Sequence, residues 1–153
     1  MRPMHVLVLS LAAGLLALLG AASTAQAGQP IPFTITETIN FATGDFTFTA
    51  TDPLCPSGTF EDTVVAAGIA HHDPSKVNLL IRTVYTCDDD SGTFNALKHV
   101  FLEFTDTGAT NTGPVSLQGG TGDYTNLSGH GVDTGVQVGP FGQGEITGVI
   151  VGP

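Results

Sequence analysis

Three charged residues occupy strand faces that are otherwise apolar, and they are the residues best placed for chemistry. Glu37 shares its strand face with the apolar residues of the segment 31–41, and Lys98 shares its face with those of the segment 93–106. Asp62 lies on the face of Phe60 and Val64, and all three charges point into the protein if these apolar faces do. Because an unpaired charge is costly to bury, each of the three needs a partner or a shifted pKa. A carboxylate beside a lysine inside a protein can transfer protons or polarise a bound carbonyl. A structural salt bridge, or a position at the wet end of the fold, is the alternative.

The segments that position these residues alternate between apolar and polar side chains with a period of two, which predicts β-strands. Stretches rich in glycine, aspartate or proline separate the segments and are typical of turns. The predicted strands are 31–41, 46–51, 58–68, 77–87, 93–106, 114–118, 132–138 and 144–151. Residues 108–113 are predicted to form a polar turn, and no segment has the period of a helix.

The fold class predicted from this pattern is all-β, an eight-stranded antiparallel β-barrel. Closure removes the exposed edges that a set of antiparallel strands would otherwise present. A small barrel with one apolar face on each strand is filled by side chains or holds one ligand. A two-sheet sandwich is the alternative, although the sequence contains no tryptophan to pack on an inter-sheet disulfide.

The stretch 118–131 contains five glycines between two predicted strands. Glycine adopts positive φ without a Cβ clash and lets two backbones approach closely. A turn, a bulge or a sharp strand bend is therefore predicted here, at the corner of a closing sheet.

The N-terminal residues have the pattern of a cleaved secretory signal peptide. A weakly basic start precedes the apolar run 6–19, and Ala25 and Ala27 supply the small residues that a signal peptidase accepts. The apolar run is too short for a comfortable membrane span. We therefore predict a signal peptide at 1–27, a single domain at 28–153, and a secreted, extracellular protein without membrane insertion after cleavage.

The charge balance excludes some classes of partner. Fourteen acidic residues outnumber four lysines and arginines, and the formal net charge is −10. Since Arg2 lies in the predicted signal peptide, the domain keeps three of the four lysines and arginines. They cannot neutralise a run of phosphates, so nucleic-acid binding is disfavoured, and binding to anionic membranes is disfavoured for the same reason. The sequence leaves a homo-oligomer open.

Cys55 and Cys87 are the only cysteines, and export to an oxidising compartment predicts a disulfide between them. No metal ligands accompany them at short fixed spacing, so neither a metal site nor a cofactor is predicted. The pair His71–His72 is interpreted as surface loop. The acidic segment 88–92 is interpreted as a hairpin turn, because it lacks the last acidic ligand of a calcium loop.

Four sequence elements, taken in order, carry a resemblance to a known family. They are Thr-Ile-Thr-Glu-Thr at 34–38, Leu-Cys-Pro-Ser-Gly at 54–58, Thr-Cys-Asp-Asp-Asp-Ser-Gly-Thr-Phe at 86–94, and the glycine corner at 119–129. Together they resemble the allene oxide cyclase-like and dirigent-like β-barrels, nearest to small exported bacterial members. That family's allene oxide cyclases are isomerases that bind an oxidised fatty acid with the help of a carboxylate, and its dirigent proteins steer radical coupling in a similar cavity. The resemblance implies an eight-stranded barrel and makes Glu37 a candidate by its position on the first strand.

Three functions are compatible with these observations. The favoured one is a non-enzymatic module that binds a small apolar ligand in the barrel, because ligand sites are usually apolar with few polar groups. The second is an isomerase or cyclase acting on a lipid-like or phenolic substrate, with Glu37 as acid or base and Asp62 or Lys98 assisting. The third is a structural or surface-interaction protein whose barrel is filled. The volume of the interior separates the first two from the third.

Overall fold

The structure is a computed structural model that describes residues 29–69 and 73–152. Eight β-strands account for most of these residues, and within these two ranges no helix has the length and hydropathy to span a membrane. The strands are β1 Ile31–Asn40, β2 Asp45–Ala50, β3 Ser57–Ile69, β4 Lys76–Cys87, β5 Gly92–Thr105, β6 Gly108–Gly122, β7 Ser128–Val138 and β8 Phe141–Gly152. The predicted signal peptide and the pair His71–His72 lie outside the described residues.

The eight strands form one antiparallel sheet that closes on itself. Each strand pairs with its neighbours in the chain, and β8 pairs with β1, from Ile31 opposite Ile150 to Asn40 opposite Phe141. This order needs only short connections between consecutive strands. The predicted fold class, an eight-stranded antiparallel barrel with one disulfide, is confirmed.

Alternation along each strand decides which side chains enter the barrel. On β1, Phe33, Ile35 and Glu37 are buried, and the threonines between them are less so. On β5, Lys98 is buried, and so are the apolar residues two positions to either side of it on the same face. The predicted inward positions of Glu37 and Lys98 follow from this alternation and are confirmed.

One half of the barrel is filled by aromatic rings. Tyr85 and Phe94 stack with their ring centroids 4.6 Å apart, and Phe48 meets both rings edge-on. Phe60 and Tyr124 extend this aromatic cluster at its two sides. Such pairs contribute about 0.5–1.5 kcal/mol each beyond the burial of their area. All five residues are buried, so this half of the barrel is a closed core.

The disulfide lies at the filled half. Cys55 belongs to the proline-containing loop before β3, Cys87 ends β4, and the predicted bond joins them with their Cα atoms 5.9 Å apart. Both cysteines and Leu54 are buried in the same core as the aromatic cluster. The bond therefore ties the loop to the sheet.

The glycine-rich stretch forms the predicted corner between β6 and β7. Gly122 has a φ of 61°, and a turn over 123–126 follows it. A Cβ at Gly120 would lie 2.0 Å from the carbonyl oxygen of Thr93, so β5 and β6 can approach this closely only at a glycine.

One predicted turn is a strand. Residues 108–113 begin β6 and pair with the end of β5 on one side and with the end of β7 on the other. The prediction of a polar turn there is wrong. Polar and glycine residues give a weak local strand signal, and pairing on both sides overrides it.

Beyond its first residues, β3 has a hydrogen-bonded neighbour on one side only among the described residues. The short strand β2 pairs with it at three positions, 47–49 with 57–59. Val64, which was predicted on the apolar face of β3 with Asp62, is 55% exposed, so its predicted burial is wrong. The physical reason is that β2 ends before it can cover this part of β3, where the register also shifts.

Candidate functional site

The half of the barrel opposite the aromatic cluster contains a cavity of about 200 Å³ that is partly open to solvent. Its apolar walls include Ile39, Leu79, Ile81, Val100, Leu102 and Ala109. Four ionisable side chains reach it, Glu37 from β1, Asp62 from β3, Lys98 from β5 and Asp133 from β7. All three residues predicted from the sequence therefore line one cavity.

Glu37 and Lys98 form a buried ion pair at the boundary between the cavity and the aromatic cluster. The Lys98 ammonium and the Tyr85 hydroxyl both donate hydrogen bonds to Glu37 Oε1. Glu37 is 4% exposed and Lys98 is 2% exposed, so solvent screens the pair little. Glu37 on β1 and Lys98 on β5 are 61 positions apart in the chain and meet across the interior of the barrel.

The aromatic cluster holds Lys98 on its other side. Lys98 Nζ lies 5.6 Å from the centroid of the Phe60 ring and 5.8 Å from that of Tyr85. Aromatic faces attract a cation at such distances, most strongly where water is excluded. Burial, followed by the negative charge of Glu37, raises the pKa of the Tyr85 hydroxyl well above its ordinary value, so this hydroxyl stays a donor.

Asp62 lies where the short strand β2 no longer covers β3. Its Oδ1 accepts a hydrogen bond from Thr83 Oγ1 at 2.5 Å. Although one side of the residue is exposed, the protein around the carboxyl desolvates it and raises its pKa. The attraction of Lys98 and the bond from Thr83 oppose this rise, and the charge of Glu37 adds to it.

Asp133 is the one ionisable side chain lining the cavity, among the described residues, that was not predicted from the sequence. It is 4% exposed, and Asn111 Nδ2 donates a hydrogen bond to its Oδ2 at 3.0 Å. Its Oδ1 accepts no hydrogen bond from the described part of the protein. Desolvation raises the pKa of Asp133 to about 6, against the attraction of Lys98. The carboxyl is therefore mostly ionised at neutral pH and incompletely hydrogen-bonded by protein groups.

The arrangement of side chains on β7 explains why Asp133 was missed. The valines of this strand are about half exposed, whereas Asp133 and the glycines two positions to either side of it lie on the inner face. If apolar residues are assumed to face the interior, the valines are predicted inside and Asp133, which lies on the opposite face, is predicted outside. Its flanking glycines were the available signal, because they mark a face without bulky side chains beside a single carboxylate.

The geometry gives the cavity two chemically different parts. The walls are apolar, and the inner end carries three carboxyl groups and one ammonium group. Direct contact joins only Glu37 and Lys98 among the three predicted residues, since Asp62 is bonded to Thr83. The cavity can therefore take an apolar group against its walls and a polar group at its inner end.

No protein-family model, curated protein or solved structure matches this chain. The resemblance to allene oxide cyclase-like and dirigent-like barrels stays a prediction, and so does the role that it implies for Glu37. Since a fold alone does not determine a function, the chemistry of the cavity has to carry the functional inference.

The acidic segment 88–92 forms the predicted hairpin turn. Asp89 Oδ1 accepts hydrogen bonds from the backbone nitrogen and the hydroxyl of Ser91, at 3.0 and 2.5 Å. Within residues 29–69 and 73–152, the one group with metal-binding spacing is Cys55, Cys87 and Asp89. Its two cysteines are joined in the disulfide, so their sulfurs are not free thiolates.

Replacing Asp133 with asparagine is expected to raise the free energy of unfolding at pH 7.5 and to change it little at pH 4. The folded carboxyl has a pKa of about 6 against an ordinary value of 3.8, so the folded state binds the proton more tightly. Wild-type stability is therefore lost as the pH rises through this window, by up to about 3 kcal/mol, and asparagine avoids the loss. Urea unfolding from pH 4 to pH 8 measures the difference.

The matched control is Glu145→Gln, which removes an exposed carboxylate from the outer face of β8. Surface changes of this kind alter stability by about 0.5 kcal/mol or less. A difference between wild type and Asp133→Asn that stays constant from pH 4 to pH 8 would contradict the assigned titration.

Proposed function

We propose that the protein binds a small molecule in the cavity of the barrel half opposite the aromatic cluster. One observation carries the proposal: side chains leave about 200 Å³ of the interior unfilled beside a closely packed aromatic cluster. Protein interiors are close-packed, and few of their voids exceed the size of a water molecule, whose share of liquid volume is about 30 Å³. Since the same chain fills the other half of its barrel, this space favours a ligand over a purely structural barrel.

The size and lining of the cavity limit the ligand to a small amphipathic molecule. Sites for drug-sized molecules measure about 300–1,000 Å³, so this cavity suits a single ring or a short chain. Leu79, Ile81 and Val100 offer apolar contacts, and the Glu37–Lys98 ion pair lies at the inner end. The function favoured by the sequence, a non-enzymatic module that binds a small apolar ligand, is therefore retained with one addition. The ligand carries a polar group.

Filling the cavity is expected to weaken binding. In Ala109→Phe the added ring extends from β6 into the cavity, because Ala109 is buried in its wall. Val132→Phe adds the same ring to the outer face of β7, where Val132 is 50% exposed, and is the matched control. Titrations with cyclohexanol, phenol and benzyl alcohol, followed by NMR, should show saturable shifts for wild type and control. Affinity should fall at least about tenfold in Ala109→Phe.

Native mass spectrometry of the protein expressed in an oxidising compartment provides a second measurement. A ligand acquired during expression should be detected as a non-covalent adduct on the wild type and on Val132→Phe, and not on Ala109→Phe. The proposal is contradicted if the wild type carries no adduct and gives no saturable shift with any of the three probes up to about 10 mM.

An isomerase or cyclase is the second candidate function. It is favoured by one observation, that a carboxylate and an ammonium from different strands reach the same cavity. In that mechanism Glu37 would exchange a proton with the bound substrate, and Lys98 or Asp62 would adjust its charge. Glu37→Gln would then abolish turnover of a reactive lipid-like or phenolic ligand while leaving binding intact. Unchanged turnover would remove Glu37 from the mechanism.

A further inference from the structure

Asp133 lines the cavity, and its Oδ1 is buried without a hydrogen-bond partner among the described residues. Only 4% of the residue is exposed to solvent. Its other oxygen, Oδ2, already accepts a hydrogen bond from Asn111. Buried polar atoms in proteins are nearly always hydrogen-bonded, because a buried acceptor without a donor is costly. A group that completes this site must therefore donate a hydrogen bond to a carboxylate oxygen.

The charges around the cavity favour a positively charged donor. Three carboxyl groups face one ammonium, that of Lys98, and Lys98 is already paired with Glu37. Asp62 and Asp133 have no cationic partner at salt-bridge distance among the described residues. In a poorly screened interior the remaining negative charge attracts a cation and repels an anion.

A point beside Gly144 is shared by two of the carboxylates. A methyl group built on Gly144 would lie 3.1 Å from Glu37 Oε2 and 3.7 Å from Asp133 Oδ1. Gly144 itself has no side chain to occupy this space. This position is at bonding distance from the Gly144 Cα, so a ligand atom that contacts both oxygens lies beyond it, in the space that a side chain at position 144 would fill.

The spacing of the carboxylates favours an organic cation over a metal ion. A calcium ion takes six to eight oxygen ligands, and magnesium takes a near-octahedral set. Among the described residues, the three carboxyl groups of the cavity do not each bring an oxygen within 4.8 Å of the other two. The ammonium group of an organic amine needs fewer acceptors than a metal ion, and the carbon skeleton of the amine can lie against the apolar walls.

We propose that the cavity binds a small protonated amine, whose nitrogen lies beside Gly144 and donates hydrogen bonds to Asp133 Oδ1 and Glu37 Oε2. Its apolar part lies against Leu79, Ile81 and Val100. This inference rests on the proposed ligand-binding function and adds the charge and chemical class of the ligand.

The test compares three probes of one shape, benzylamine, benzyl alcohol and benzoate, by NMR and calorimetric titration of the oxidised protein at pH 7.5. Benzylamine, which is protonated at this pH, should bind at least about tenfold more tightly than benzyl alcohol, a difference of about 1.4 kcal/mol. Benzoate should bind most weakly of the three.

Two variants assign the preference to this site. Asp133→Asn keeps the shape of the side chain and removes its charge, and it should reduce the preference for benzylamine to less than about twofold. Gly144→Ala keeps every charge but places a methyl group between the two carboxylates, and it should weaken benzylamine at least about tenfold. The controls are Glu145→Gln, an exposed carboxylate on the outer face, and Gly68→Ala, whose added methyl group meets nothing within 4 Å. Both should behave as wild type.

The outcomes separate this inference from the proposed function. If benzyl alcohol or benzoate binds as tightly as benzylamine, or if Asp133→Asn keeps the preference, the amine site is overturned and small-molecule binding stands. If none of the three probes binds saturably up to about 10 mM, and no adduct is found on the purified protein, both fail. Circular dichroism of each variant confirms that it is folded, and Gly144→Ala tests the site without any change of charge.

Discussion

Replacement of Lys98 by methionine is expected to lower the free energy of unfolding by about 3–5 kcal/mol. Lys98 is the one cation among the described residues that line the cavity, and it is hydrogen-bonded to Glu37. Its removal leaves the carboxylate of Glu37 buried, with the Tyr85 hydroxyl as its remaining donor. Since methionine retains most of the apolar volume of lysine, the cost is chiefly electrostatic. Urea unfolding at pH 7.5 measures it.

Two further variants show whether burial makes this ion pair important. Lys76→Met removes the exposed ion pair with Glu103, whose charged atoms are 3.4 Å apart, and should cost about 1 kcal/mol or less. The double variant Glu37→Gln with Lys98→Met should recover much of the stability, because no charge is then left unpaired. A Lys98→Met protein no less stable than Lys76→Met would contradict a buried, unscreened pair.

Loss of the disulfide is expected to cost about 3–4 kcal/mol. Cys55 and Cys87 are 32 positions apart, and the bond between them restricts the unfolded chain by closing a loop of this length. Replacing both cysteines by alanine removes the bond while the buried sites stay apolar. The measurement compares the urea midpoint and slope of this variant with those of the oxidised wild type.

Reduction provides the control for this prediction. A reductant should destabilise the wild type by a similar amount and leave the Cys55→Ala, Cys87→Ala double variant unchanged. If reduction shifts the double variant as well, or leaves the wild type unchanged, the stabilisation does not come from this bond. Free-thiol labelling of the denatured, unreduced wild type should find neither cysteine reactive.

Most of the fold could be predicted because its determinants are local. Alternation with a period of two placed Glu37 and Lys98 on inward faces, and the glycines near Gly122 marked the corner between β6 and β7. Two cysteines allow a single intramolecular pairing, so the bond between Cys55 and Cys87 needed no knowledge of the fold.

The prediction failed where a neighbouring strand decided the outcome. Residues 108–113 are a strand because β5 and β7 supply hydrogen bonds on both sides, which no local pattern records. Val64 is exposed because β2 is too short to cover it, although it lies four positions after the buried Phe60 on the same face of β3. Both errors concern which residues a neighbouring strand pairs with or covers, and a strand's own sequence does not record that.

By itself, the sequence determined the fold class, the disulfide and the inward direction of two opposite charges, because each depends on residue type and spacing along one segment. The tertiary structure alone decided that Glu37 pairs with Lys98, that Asp133 faces the same cavity, and that half of the barrel is left unfilled. These features depend on how residues far apart in the chain meet across the barrel. Strand register and the sum of side-chain volumes set those meetings, and neither is a property of any one segment.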